Sequence, residues 1–285
     1  MDKICKLKLG NYNLFFINRL QKDLAVAVIN FVCCQKISNS AQFTVCQRKQ
    51  KADLVIVHWE NCSYYIKHYK NRNFKSIIRN ILRPVSRYMK MSCSLLQAGI
   101  PVAEPVMAVS FKRNLFVSEG IFVMKEVQGK TLEEYLNSKQ ENEELKEVIK
   151  QLGIIWGKLY KYRYFHADPN TGNYIIQNSG NCVQLSLVDI DSLYNLPTLP
   201  KIMFFNRLCR FLFSVYCELA KNGRTIGFRK VFLFFQNLSI NTGNEIKCKK
   251  MMMIQRRLLN RKLEKKYMRK ISFTESSSNH VYRQF

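Results

Sequence analysis

The sequence predicts an α+β chain of two unequal lobes, β-rich on its N-terminal side and mainly helical on its C-terminal side. Three observations carry this. Short apolar runs bounded by turn residues fill much of the stretch before residue 127. Apolar spacings of three and four run from Glu144 to Tyr164, and a second apolar helical run spans Phe204 to Asn222. One hairpin interrupts the helical part. The lobes divide at 1–125 and 126–285, with 1–50 forming an extension and first strands whose signals are weak.

Taken in order, Leu7 to Ile17 reads as a strand pair around Gly10-Asn11, and Leu24 to Cys34 as a strand or short helix. Leu54 to Tyr69 reads as a hairpin around the polar turn Glu60 to Ser63, with Lys67 in its second strand. From Lys67 to Lys90 there are eight Lys and Arg and no acid. Pro84 is suited to the first turn of a helix that runs to about Ala98 and stops at Gly99. "GIPVAEPVMAVS" is an extended connection into a strand, and "EGIFVMKEV" (Glu119 to Val127) is another strand. Thr131 and Glu134 form a capping box for a helix near Leu132 to Asn137. The helix of Glu144 to Tyr164 delivers the chain into "YFHADPNTGNYIIQ", whose "YIIQ" pairs across the turn "NSGN" with "VQLSLVD". The helix of Phe204 to Asn222 ends before Gly223, and the C-terminal third stays helical and basic without internal repeats.

Composition sets the function classes. With 47% apolar and 12% aromatic residues the chain can build a core, which argues against global disorder. Lys plus Arg number 46 against 20 Asp plus Glu, a net charge of +26, so anionic partners are expected: nucleic acid, an acidic membrane surface or a phosphorylated substrate. Ten cysteines without a CxxC give no zinc site and no disulfide framework, and a reducing cytosol is the expected setting. Met1 to Gly10 lacks the apolar core of a signal peptide, and Leu24 to Cys34 is too short to span a bilayer.

The chemistry concentrates at the mouth of the late hairpin. Its outer ends bring Asn173 and Asp189 together although they are sixteen residues apart, and Asp168 lies five residues before Asn173. Asn and Asp oxygens suit Mg2+, which takes few protein ligands and completes its shell with phosphate oxygens. A separate carboxylate can orient an attacking hydroxyl and accept its proton. Each residue alone would be a turn or a cap; the ordered set is what points to a site.

His166-Ala167-Asp168 followed by Asn173 resembles the kinase catalytic loop H-x-D-x-x-x-x-N, and Asp189-Ile190-Asp191 stands where kinases carry the metal-binding D-F-G. Lys67 in "YYIKHY" looks like the strand lysine that holds nucleotide phosphates, about a hundred residues upstream. More closely, the chain resembles the lipopolysaccharide kinase family, the Kdo and heptose kinases of the protein-kinase-like superfamily. "HADPNTGN" is similar to their H-G-D-L-H-P-G-N loop and "VDID" to their I-D-F-D. "LLQAGIPVAEPVMAV" and "GKTLEEYL" are similar to their helix-to-strand junction and the segment after the hinge. The resemblance covers roughly Asp53 to Asn195.

It implies a protein-kinase-like two-lobed fold and ATP- and Mg2+-dependent transfer to a sugar hydroxyl, Kdo or heptose of the lipopolysaccharide inner core. Asp168 would be the base, and Asn173 and Asp189 would hold Mg2+ with Asp191 as a further ligand or a helix cap. Lys67 would bind the α- and β-phosphates, Glu126 and Val127 of the linker would meet adenine, and His166 would brace the loop. Two features depart from kinases. No acid occurs between Glu60 and Glu104, so Lys67 lacks the usual helix glutamate, whose place falls near Tyr88. "SNSAQFTVCQ" (Ser38 to Gln47) occupies the place of a glycine-rich phosphate loop without a glycine. The alternatives these leave open are a non-catalytic pseudokinase binding lipid or a partner, and a small-molecule or protein kinase of the same fold.

Lys247 to Lys270 holds eleven Lys and Arg and one acid, with Ile254, Leu258, Leu259 and Leu263 at partly helical spacing. A basic amphipathic segment of this kind suits anionic lipid. The expected partners are therefore an anionic lipopolysaccharide precursor and the inner-membrane surface, contacted through this segment, rather than nucleic acid. The expected location is cytoplasmic, peripheral on the cytoplasmic face of the inner membrane.

Overall fold

Lys67 lies within a seven-stranded antiparallel sheet, and the elements around it explain its surroundings. The computed structural model describes residues 4–17, 22–34, 41–48, 52–70, 74–114, 117–138, 142–179, 182–224, 226–243, 247–248 and 251–253. The chain forms two compact units, Met1–Leu132 with Asn173–Leu193, and Glu133–Gly172 with Tyr194–Phe285.

The sheet of the first unit contains β1 (Ile4–Leu9), β2 (Tyr12–Ile17), β3 (Ala41–Arg48), β4 (Asp53–Trp59), β5 (Cys62–Tyr69), β6 (Pro105–Asn114) and β7 (Val117–Lys125), in the order β1-β2-β6-β7-β5-β4-β3. The β1–β2 turn uses Gly10 at φ +56°, a left-handed conformation that glycine adopts without a Cβ clash. Helix α1 (Lys22–Cys34) resolves the ambiguous apolar run: it is longer than an ordinary strand and opens with Asp23 in its first turn. Leu24, Ala25, Val28 and Ile29 bury against Leu14, Val57, Ile66, Val109 and Val123 of the sheet. Burial on that scale contributes about 1.5–3 kcal/mol for each Leu, Val and Ile side chain.

Two helices follow the lysine strand. Helix α2 (Phe74–Leu82) is absent from the sequence-based expectation, and α3 (Val85–Gln97) matches it. Pro84 occupies the N-cap of α3, and Gly99 at φ +67° ends it. Val85 packs so tightly on Gly120 of β7 that any side chain there would collide with it.

Strands β10 (Tyr174–Ser179) and β11 (Cys182–Leu187) form the expected hairpin, with Tyr174 opposite Leu187. It belongs to the first unit because both of its edges are held there. The short β8 (Lys130–Thr131) pairs with β10, and Leu187 N–H donates to the Pro101 carbonyl at 2.9 Å.

The second unit is built on α4 (Leu132–Asn137), α5 (Asn142–Lys161), α6 (Lys201–Lys221) and α7 (Phe228–Asn241), with β9 (Tyr164–His166) and β12 (Leu193–Asn195) in a two-stranded sheet. Gly153 and Gly157, one turn apart on α5, let it approach α7 closely: a Cβ at Gly157 would lie 2.8 Å from the Leu238 carbonyl oxygen. Among the described residues no helix is long and apolar enough to cross a membrane. Most of the basic segment Lys247 to Lys270 lies outside the described residues.

Candidate active site

Strand alternation puts Tyr65, Lys67 and Tyr69 on one face of β5 and sends Tyr64, Ile66 and His68 into the opposite, buried layer. The Lys67 ammonium donates to Asp189 Oδ1 at 2.9 Å and lies 3.5 Å from Asp191 Oδ1. The Tyr69 hydroxyl donates to the same Asp191 oxygen at 2.7 Å. Asp189 sits just after β11 and caps the 3-10 turn Ile190–Ser192 by accepting from the Asp191 backbone N–H. The cap is thus Asp189, while the Asp191 side chain turns to the lysine strand. The missing helix glutamate has a substitute: two carboxylates of one turn serve Lys67. At the place of that glutamate, Tyr88 stacks on Tyr69 with centroids 5.1 Å apart.

The electrostatics follow from this enclosure. Burial would lower the Lys67 pKa, but Asp191 and Asp189 outweigh it and hold the ammonium above its ordinary range. Burial raises the Asp191 carboxyl, assisted by the like charge of Asp189 and opposed by Lys67. Burial also pushes the Tyr69 hydroxyl well up, with Asp191 adding to the effect. The side chains are 16% exposed for Lys67, 30% for Asp191 and 42% for Asp189, so Asp189 is the open edge of the cluster.

Asn173 is buried at the same open end of the hairpin, just before β10, and its carbonyl accepts from Val188 N–H at 2.9 Å, next to Asp189 in the chain. Asn173, Asp189 and Asp191 offer only hard oxygens, a donor set that fits Mg2+. Among the described residues no three His, Cys, Asp or Glu side chains form a metal cluster by themselves. A metal here would take the Asn173 amide and phosphate oxygens as well.

The linker after β7 is fixed by its backbone. Lys125 N–H donates to the Glu104 carbonyl and Glu126 N–H to the Ser63 carbonyl, both at 2.8 Å. Burial, together with the Glu126 carboxylate that it hydrogen-bonds, raises the Tyr65 hydroxyl. The glycine-loop position needs correction. Residues 41–48, which include most of the stretch assigned to that loop, form strand β3 instead, paired with β4. The connection preceding β4 is Lys49-Gln50-Lys51-Ala52. Ser38, Asn39 and Ser40 lie outside the described residues, as do Lys49, Gln50 and Lys51.

In the second unit, α5 delivers the chain to β9 and the catalytic-type loop. His166 is 2% exposed and stacks on Trp156 of α5, centroids 6.2 Å apart. That packing anchors the loop ahead of Asp168. Asp168 is open, and its Oδ1 lies 2.9 Å from Arg210 Nη2 of α6. Arg207, one turn earlier on α6, lies over the Phe165 ring at 5.1 Å. Arg210 and Tyr69 were not among the expected site residues. Tyr69 is two residues from Lys67 on the same strand face, which is a legible signal; nothing in the spacing of Arg210 ties it to Asp168.

A sheet-borne lysine held by carboxylates of a D-x-D turn, with a loop of His-x-Asp type in a helical unit, defines a protein of kinase-like fold. Residues 114–217 match the family model of the ABC1 atypical kinase-like domain. Among solved structures the chain is similar to "WaaP in complex with acyl carrier protein", with a TM-score of 0.57 and 14% identity over 79% of this chain and 88% of that one. No curated protein matches the sequence. Both similarities agree with the kinase-like two-lobed fold read from the sequence.

Proposed function

We propose that the protein is an ATP- and Mg2+-dependent phosphotransferase acting on a sugar hydroxyl, Kdo or heptose of the lipopolysaccharide inner core, at the cytoplasmic face of the inner membrane. The observation that supports it most is the Lys67–Asp189–Asp191 cluster on a kinase-like fold. The resemblance of "HADPNTGN" and "VDID" to the loops of lipopolysaccharide kinases favours this acceptor class over other kinase substrates.

Phosphoryl transfer needs positioning and charge neutralisation more than covalent help from the protein. Asn173, Asp189 and Asp191 would hold the metal, which when bound would neutralise charge on the transferred phosphoryl group. Lys67 would exchange a carboxylate contact for the α- and β-phosphates. The Glu126 carbonyl and the Val127 N–H would face adenine. Asp168 would orient the sugar hydroxyl and accept its proton, with Arg210 beside it to meet an anionic acceptor. His166 would position the loop through its packing on Trp156.

Asp168→Ala should abolish ATP-dependent phosphorylation of isolated core lipid while leaving the thermal unfolding curve in place. Unchanged transfer in a purified assay would refute the assigned mechanism. The second reading, a pseudokinase that binds lipid or a partner, draws on the ion pairs that engage Lys67 with both carboxylates. A thermal shift with ATP, measured with and without Mg2+, separates the two: an Mg2+-dependent shift supports the enzyme, and none supports the scaffold.

A further inference from the structure

Helix α2 is built inside out. Its buried side chains are polar: Ser76 is 5% exposed and Asn80 7%, and the Asn80 amide donates to the Tyr69 carbonyl at 3.1 Å. Its outward side chains are apolar: Phe74 is 75% exposed, Ile78 42%, Ile81 56% and Leu82 72%. At 3.6 residues per turn these four fall within an arc of about 100°. A surface helix ordinarily turns that stripe to the core. Here the polar face is spent on holding the helix, and the apolar stripe is left outward.

The charge of the chain segment around α2 is one-sided, the nearby acids Asp53 and Glu119 being buried and paired to Lys70 and His68. The sequence from Lys70 to Lys90 contains seven Lys and Arg, and no acid occurs between Glu60 and Glu104. Lys70 is paired to Asp53 and Arg87 donates to the Leu193 carbonyl, while Lys90 on α3 is exposed. An exposed apolar stripe set in a cationic neighbourhood matches a bilayer interface with anionic headgroups. Apolar side chains enter the acyl boundary, and Lys and Arg remain at the phosphates.

We propose that α2 is a membrane-docking helix that lies in the plane of an anionic bilayer with Phe74, Ile78, Ile81 and Leu82 inserted. The proposal adds a second contact to the basic C-terminal segment and needs no phosphoryl transfer, so its test contains no nucleotide. Dual attachment also fits the weakness of single interfacial anchors, since stable association generally takes two signals.

The test uses the full chain with vesicles of phosphatidylcholine, alone or with about one third phosphatidylglycerol. Leu82→Trp reports on the face directly, because Trp59 is 8% exposed and Trp156 1%, and both should be silent to vesicles. Its emission should be that of a hydrated indole in buffer, shift to the blue with anionic vesicles, and stay put with neutral ones. Phe74→Glu with Leu82→Glu should reduce sedimentation with anionic vesicles by roughly tenfold or more and leave thermal unfolding unchanged. Wild-type sedimentation of that double variant would overturn the proposal and leave binding to the tail. An indole already blue-shifted in buffer and indifferent to vesicles would overturn it in favour of a face covered by the chain itself or by a second copy. No shift with any vesicle would overturn it in favour of a protein partner.

Discussion

Lys67 reconciles two carboxylates that would otherwise face each other at the end of β11. Replacing it with Met leaves Asp189 and Asp191 in mutual repulsion and removes a donor from both. Because Asp189 is 42% exposed, solvent screens much of the loss, and about 1–2 kcal/mol is expected rather than the larger figure for a fully buried pair. Adding Asp191→Asn to Lys67→Met should recover part of it; a chemical-denaturation cycle that comes out additive would show that the pair is not coupled. The sign with pH follows from the raised Lys67 pKa. A cation whose pKa rises on folding contributes stability that is complete below its ordinary value, about 10.4, and is lost as pH climbs through the folded value. The gap between wild type and Lys67→Met should therefore be flat from neutrality to that range and close at more alkaline pH. Tyr69 illustrates how a site residue hides in plain view: strand alternation places it beside Lys67, but its hydroxyl becomes meaningful only once the D-x-D turn is seen to approach the strand.

Elements with a single consistent signal were legible, and those with conflicting signals were not. Helix α5 has its apolar face, its acidic first turn and its basic last turn in agreement, and the late hairpin has a turn and alternation in agreement. Helix α2 carries a helical signal in Phe74, Ile77, Ile78, Ile81 and Leu82 at spacings of three and four, and what the sequence does not show is that this apolar face points outward while Ser76 and Asn80 are buried. Strand β3 carries a strand signal of its own, Phe43 and Val45 alternating with Gln42 and Thr44, which is overridden when the phosphate loop is placed there by its distance from Lys67. The α5–α7 contact was likewise invisible, since glycine in a helix reads as a weakness until a neighbouring backbone occupies the space. Gly157→Ala should crowd the Leu238 carbonyl and the Asn241 side chain and lower stability by about 1–3 kcal/mol, read as a fall in Tm; an unchanged or raised Tm would mean that α7 yields without strain. Glu218 of α6 gives a complementary test. Burial would raise its pKa, but Lys221 and Asn137, which hydrogen-bond its carboxylate, bring it below the ordinary value. A depressed carboxylate contributes above its unfolded pKa, about 4.3, and its contribution disappears as pH falls through the folded value. Glu218→Gln should thus cost about 1–2 kcal/mol near neutrality and nothing in strong acid; a deficit that persists there would assign the loss to packing.

At the scale of the whole molecule, the order of motifs identified the kinase-like fold, whereas the allocation of the hairpin to the sheet unit required the backbone bonds to Pro101 and Lys130–Thr131 that no local pattern specifies. The global charge was legible from composition alone, and it has two opposed consequences. A net charge of +26 repels itself in the compact state, so screening should stabilise the fold. The same screening weakens attraction to an anionic surface, because the Debye length falls from about 30 Å at 0.01 M salt to about 10 Å at 0.1 M. Raising salt over that range should therefore raise Tm by a few degrees, at about 2–4 °C per kcal/mol for a unit of this size, while association with anionic vesicles declines. The two responses separate long-range charge from apolar insertion. If the α2 stripe enters the bilayer, a residual bound fraction should survive at high salt in wild type and vanish in the Phe74→Glu, Leu82→Glu variant. Binding that disappears with salt in both proteins would reduce the membrane interaction to electrostatics alone, and a Tm that falls with salt would show that ion pairs such as Lys67–Asp189 outweigh the surplus of positive charge.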